Sequence, residues 1–194
     1  MTDFVRPARA VPLRLVSGRG HYDSIVQAVM SAETSVWIAT ANLKDVHLEA
    51  PIGTRARARG RYVSILEVFA DLAARGVDVR ILHGTPPSRP FRERLRRSKK
   101  LRDAVAMRRC PRVHLKMIAI DGALLYMGSA NFTGAGIGAK GDGRRNFEAG
   151  IVTDDELVLD DMQATFEAIW SGSSCGNCRL RGECPAPLDQ RASW

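Results

Sequence analysis

Residues 112–131 read RVHLKMIAIDGALLYMGSAN, and this stretch decides the fold. From Arg112 to Ile120 two parities alternate, with Val113, Leu115, Met117 and Ala119 on one and His114, Lys116, Ile118 and Ile120 on the other. A strand puts alternate side chains on one face, so His114 and Lys116 are expected to point the same way. Asp121-Gly122 is a turn signal. Ala123 to Gly128 then reads as a returning strand that brings Ser129 and Asn131 back towards His114. Such a hairpin gathers an imidazole, an ammonium, a hydroxyl and a carboxamide. That set can attack and hold a phosphate, with the histidine as nucleophile or general acid and the others as donors to the non-bridging oxygens.

The spacing is H-x-K-x4-D-x6-G-S-x-N with every position filled, and on these residues the chain resembles the phospholipase D superfamily. The resemblance implies that one motif histidine attacks phosphorus to form a covalent phosphohistidine. A second motif's histidine protonates the leaving group, and water then hydrolyses the intermediate without a divalent metal. His114, Lys116 and Asn131 are the residues expected at the phosphate. Ser129 is a further phosphate contact or a support for those residues. Asp121 belongs to the motif and is expected to support the hairpin rather than touch substrate. Family members often carry a downstream carboxylate on the histidine. In this chain the segment 146–151 (NFEAGI) resembles that element, which makes Glu148 the candidate. Its role would be to fix the tautomer and raise the basicity of the ring.

The motif occurs once. The other histidines are His21, His47 and His83, and none has a lysine two positions on. Single-motif family members build one site across a homodimer axis, and a two-fold interface presents the same patch twice. The resemblance therefore implies a homodimer with two His114 residues facing each other. A heteromeric partner carrying another motif is the alternative.

Charge points to the substrate class. The chain of 194 residues carries 29 Lys and Arg against 21 Asp and Glu, a net +8, which favours polyanions: nucleic acid or an anionic membrane surface. The excess concentrates between Arg89 and Arg112, where eleven Lys and Arg meet only Glu93 and Asp103. Arg92, Arg94, Arg96, Arg97, Lys99 and Lys100 are the candidate nucleic-acid contacts, set against the alternative of a solvated helix. A second cluster is Arg55, Arg57, Arg59 and Arg61. Acidic residues gather instead at Asp154, Asp155, Glu156, Asp160 and Asp161. No run of 18 apolar residues occurs, so no transmembrane helix is expected. Residues 1–15 lack an apolar core of signal-peptide length, and a cytoplasmic location is expected.

Outside the hairpin, helical spacing marks 21–32 and Tyr62–Arg75, the latter ended by Gly76. Ser35–Ala41 and Val77–His83 read as buried strands. Lys44–Gly60 reads as a mobile loop, Phe91–Val105 as a basic helix, Gly134–Gly143 as a Gly-rich loop and Phe147–Thr153 as a strand. Asp154–Trp170 reads as a helix with Thr153 as a possible cap. Strands alternating with helices imply an α/β domain. The resemblance makes it a mixed sheet flanked by helices over residues 1–171, with its core at about 20–171. Residues 172–194 form a short cysteine-containing tail.

The four cysteines are Cys110 and the C-terminal set Cys175-x2-Cys178-x5-Cys184. If the tail folds back beside the motif strand, all four meet. Four cysteine thiolates are a common ligand set for structural zinc and for an iron–sulfur cluster. The spacing also resembles that of certain iron–sulfur nucleases. Zinc, a [4Fe–4S] cluster and free thiols all stay open, and any metal would be structural, with no cofactor needed for hydrolysis.

Three function classes follow. The first is a nuclease or nucleic-acid phosphodiesterase, with DNA ahead of RNA. The second is a phospholipase or phosphatidyl transferase, although such enzymes usually carry both motifs in one longer chain. The third is a non-catalytic nucleic-acid-binding module, against which the intact motif argues.

Overall fold

The computed structural model describes residues 4–50 and 53–190. Residues 1–3, 51–52 and 191–194 lie outside the described residues; the sequence reading puts them at the domain's start, in the Lys44–Gly60 loop and at the end of the tail. Nine strands are described: β1 (Arg14–Ser17), β2 (Ser35–Thr40), β3 (His47–Glu49), β4 (Tyr62–Ser64), β5 (Asp78–His83), β6 (Ala106–Arg109), β7 (Met117–Ile120), β8 (Leu124–Gly128) and β9 (Ala149–Thr153). A π-helical turn, Tyr22–Val26, leads into α1 (Gln27–Met30). The further helices are α2 (Arg55–Ala58), α3 (Ile65–Ala74), α4 (Arg89–Arg97), α5 (Lys99–Asp103) and α6 (Glu156–Trp170).

Seven strands make one mixed sheet in the order β1-β9-β8-β7-β2-β5-β6, and β3 and β4 form a separate two-stranded ribbon. Strands β2, β5 and β6 run parallel, and β7, β8, β9 and β1 pair antiparallel. Helices cover both faces. On one, Val36, Ile38, Val79, Ile81, Ile118, Ile120 and Tyr126 pack with residues of the π-helical turn, α3, α4 and α5. On the other, Ala39, Leu82, Met117, Ala119 and Leu125 pack beneath Leu159 and Phe166 of α6 and Leu188 of the tail. Burial on both faces explains why β7 is apolar at every position rather than alternating. The expected α/β architecture is present. Among the described residues no helix is long and apolar enough to cross a membrane.

Several local expectations are corrected. The segment Lys44–Gly60 contains β3 and α2 rather than a plain loop, because β3 pairs with β4 in register Leu48↔Val63 and buries Leu48. Tyr62–Ser64 is therefore strand, and α3 begins at Ile65 with the Ser64 hydroxyl accepting from Leu66 N–H at 3.2 Å. The basic helix breaks at Ser98, whose extended backbone ends α4 and whose hydroxyl caps α5. Asp155, not Thr153, caps α6 through Val158 N–H; the Thr153 hydroxyl donates instead to Pro12 O. The Arg9 guanidinium and that N–H hold Asp155 down at about 2.

Candidate active site

The antiparallel β7 and the parallel β2 and β5 place their functional ends on one edge of the sheet. The register pairs Ala39 with Met117 and Met117 with Met127. The ends of β2 and β8 and the start of β7 therefore coincide. The strand predicted over 112–120 is shorter: β7 starts at Met117, and Cys110 to Lys116 form an irregular approach. It opens with a turn in which Val113 N–H bonds Cys110 O at 2.9 Å. Gly84 permits this path, since a Cβ there would stand 2.5 Å from Val113 O.

His114 and Lys116 still converge. Lys116 Nζ lies 3.0 Å from His114 Nδ1 and 3.2 Å from Nε2, and donates to His114 O at 2.8 Å. His114 is exposed and Lys116 is half-buried. Burial pulls the Lys116 ammonium below its ordinary value, and the Glu148 charge opposes that shift. Ser129 comes back beside them, since Gly128 N–H bonds Lys116 O at 3.2 Å. Together His114, Lys116, Gly128 and Ser129 line an open cleft with Leu115, Met127 and Met162. Gly128 cannot carry a side chain there: a Cβ would stand 2.6 Å from both Ala149 O and Tyr126 Oη.

Asn131 is held by contacts that the sequence reading missed. Its Oδ1 accepts from Asn42 N–H at 3.1 Å and from the Thr40 hydroxyl at 3.3 Å. Those contacts use the amide oxygen and leave the NH2 end to donate. The available signal was the polar Thr40-x-Asn42 at the end of an otherwise apolar strand.

Asp121 and Glu148 make their contacts away from the imidazole. Asp121 stands at the far end of β7, away from His114, in a left-handed turn (φ 55°). Its carboxylate accepts from the N–H groups of Glu33, Thr34 and Ser35 and from the Thr34 hydroxyl. It joins the hairpin to the start of β2, as a supporting residue should. Glu148 does not contact His114 within the chain. It precedes β9, and β8 lies between β9 and β7, so its carboxylate accepts from the Ser129 hydroxyl and from Asn146 Nδ2 at 3.1 Å.

The basic run lies on α4 and α5, which carry the chain from the end of β5 back to the start of β6. It therefore descends away from the site edge rather than running into His114. Arg92, Arg96, Arg97, Lys99 and Lys100 are exposed, and Lys100 pairs with Asp71. Arg94 is bound to Asp45 and Glu67. A second basic surface, also missed, is a groove beside Asn131 lined by Lys44, His47, Tyr62, Lys140 and Arg144. Its acid, Asp45, is held by the Ser64 hydroxyl and Arg94.

A family model described as cardiolipin synthase, PLD-like domain, matches residues 25–170. The chain is similar in structure to NucT from Helicobacter pylori (16% identity, TM-score 0.54, covering 81% of this chain and 94% of that one). It is likewise similar to Nuc from Salmonella typhimurium, a phospholipase D family member (17%, 0.55, 82% and 95%). Polyphosphate kinase from Porphyromonas gingivalis matches 91% of this chain but 27% of its own (15%, 0.53). At these identities the likeness is one of fold. No curated protein sequence matches the chain.

Proposed function

The chain belongs to the phospholipase D-like family, and on that premise we propose that it is a phosphodiesterase that cleaves nucleic acid, DNA in the first instance, at a site completed by a second copy of itself. The observation that carries the reading is the open half-site. His114 is the one imidazole lining its cleft among the described residues, with Lys116 Nζ 3.0 Å from the ring and Ser129 beside it.

In the proposed reaction a ring nitrogen of His114 attacks phosphorus, forming an N–P bond as the P–O bond to the leaving strand breaks. The departing oxygen takes its proton from His114 of the second copy. Water then attacks phosphorus, the N–P bond breaks, and the water's proton returns to that second imidazole. Lys116 and the Asn131 amide NH2 donate to the non-bridging oxygens, where charge builds in the transition state. No step draws on a divalent metal.

Dimerisation through this edge suits the surface around it. Leu115, Met127 and Met162 rim the cleft, and Phe147, next to Glu148, is fully exposed. The polar groove of Lys44, His47, Lys140 and Arg144 offers cations to a phosphate backbone, with exposed Tyr62 as a stacking surface. The apolar rim also suits phosphatidyl transfer, which is the second reading.

The test incubates purified protein in excess chelator with plasmid DNA, single-stranded DNA, RNA and anionic phospholipid vesicles, beside the His114→Ala variant. Cleavage of nucleic acid by the wild type alone supports the proposal; turnover of lipid alone replaces it with the second reading. Light scattering that shows a monomer at working concentration would sink the shared site.

A further inference from the structure

The tail after α6 contains neither helix nor strand up to residue 190. It advances as a chain of turns, with Cys175 N–H on Gly172 O, Cys178 N–H on Cys175 O, Arg181 N–H on Cys178 O and Cys184 N–H on Arg181 O, at 2.8 to 3.3 Å. It then folds back: the Asp189 backbone lies against Gly172, where a Cβ would collide with it. The tail's apolar contribution to the core is small, chiefly Leu188 and the half-buried Cys175. Arg108 fastens it by donating to Trp170 O and Leu188 O.

This path brings Cys175, Cys178 and Cys184 to Cys110, which lies 65 or more residues earlier in the chain. All four are free thiols, all half-buried, and all line one small cavity with Pro111, Pro187 and Leu188. Arg112 and Arg181 line the same cavity, and Arg112 Nη1 stands 3.8 Å from Cys178 Sγ. The Arg112 guanidinium offsets part of the net negative charge of a metal held by four thiolates, while Arg181 is paired with Asp189 at 2.6 Å. Among the described residues no three His, Cys, Asp or Glu side chains already stand at metal-binding distance. Binding therefore requires the thiols to turn into the cavity that all four line, a change in the χ1 torsion of each cysteine.

We propose that Cys110, Cys175, Cys178 and Cys184 form a thiolate site for a thiophilic metal, a zinc ion or an iron–sulfur cluster, that fastens the tail to the turn leading into His114. Each thiol gives up its proton on binding. Cys110 is the pivotal member: its N–H bonds His83 O at 3.0 Å, and its carbonyl accepts from Val113 N–H. Metal at Cys110 thus braces the segment that carries the imidazole, independently of which phosphodiester is cleaved there.

Full-length protein purified anaerobically without chelator is assayed for zinc, iron and sulfide, and its thiols are counted with a colorimetric reagent before and after denaturation. The expected result is either about one zinc per chain or equal iron and sulfide with a visible absorption band. The thiols should be protected until denaturation, and metal removal should lower the melting temperature. A Cys178→Ser/Cys184→Ser variant is expected to lose the metal; should it fail to fold, thiol protection and metal content of the wild type decide alone. Four reagent-reactive thiols in the native protein, with added zinc lost on desalting, would overturn the site. So would disulfides under these conditions, or metal retained by the folded variant.

Discussion

The Lys116 ammonium stands 3.0 Å from His114 Nδ1 and donates at 2.8 Å to the same residue's carbonyl. One cation therefore positions both the ring and the backbone that carries it. Replacing His114 with Ala should lower turnover by roughly a thousandfold or more while leaving the melting curve unchanged. Lys116→Ala should cost about a hundredfold to a thousandfold in kcat. Full activity in His114→Ala would rule out the covalent route.

The Ser129 hydroxyl donates to the Glu148 carboxylate, across the pair that β8 makes with β9. Glu148 also acts electrostatically on Lys116. Glu148→Gln keeps the shape and removes the charge, so it should lower kcat by roughly ten- to a hundredfold, the cost of a hydrogen bond to a charged partner. The effect should shrink in a Ser129→Ala background. Additive losses would mean the two residues act separately.

Burial raises the Asp121 carboxyl, but hydrogen bonds from Ser35, Thr34 and Glu33 together outweigh it and hold the group below its ordinary value. A carboxylate depressed in the folded state stabilises the fold above its unfolded pKa, and that stability disappears as pH falls through the folded value. Asp121→Asn tolerates the left-handed backbone, removes the charge and turns one of the two acceptor oxygens into an NH2. It should lose about 2 kcal/mol at pH 7, with the gap to wild type closing below roughly pH 4. Urea unfolding across this range checks it; a gap that persists in acid would assign the effect to geometry instead.

The proposed nucleic-acid substrate has two candidate basic surfaces. Replacing Lys44, Lys140 and Arg144 with Ala should reduce the salt dependence of DNA binding by about 0.9 in log–log slope for each phosphate no longer neutralised. Replacing Arg96, Arg97, Lys99 and Lys100 should reduce it less, because α4 and α5 lead away from the site edge. The reverse order would place the strand along those helices.

The strands most legible in sequence are the central ones, which are largely buried. SVWIAT and DVRILH read as strands because both faces of the sheet are covered there. The strands β1, β3, β4 and β6 (RLVS, HLE, YVS and AMRR) went unread. Each is three or four residues long and lies at an edge or in the two-stranded ribbon, where pairing with a distant partner supplies the stability that local composition lacks. Glu148 shows the same limit within the site. Its proximity to the motif in sequence is real, but the choice between His114 and Ser129 depends on which strand lies between.

By itself the sequence determined the family hairpin, the α/β alternation and the convergence of His114 with Lys116, because these rest on contacts between residues close in the chain. Tertiary structure alone decided the rest. It assigned the Asn131 oxygen to Asn42 and Thr40, tied the Asp121 carboxylate to the start of β2, and brought Cys110 to the tail. Those outcomes depend on strand order and register, which long-range pairing and burial select and no local pattern encodes.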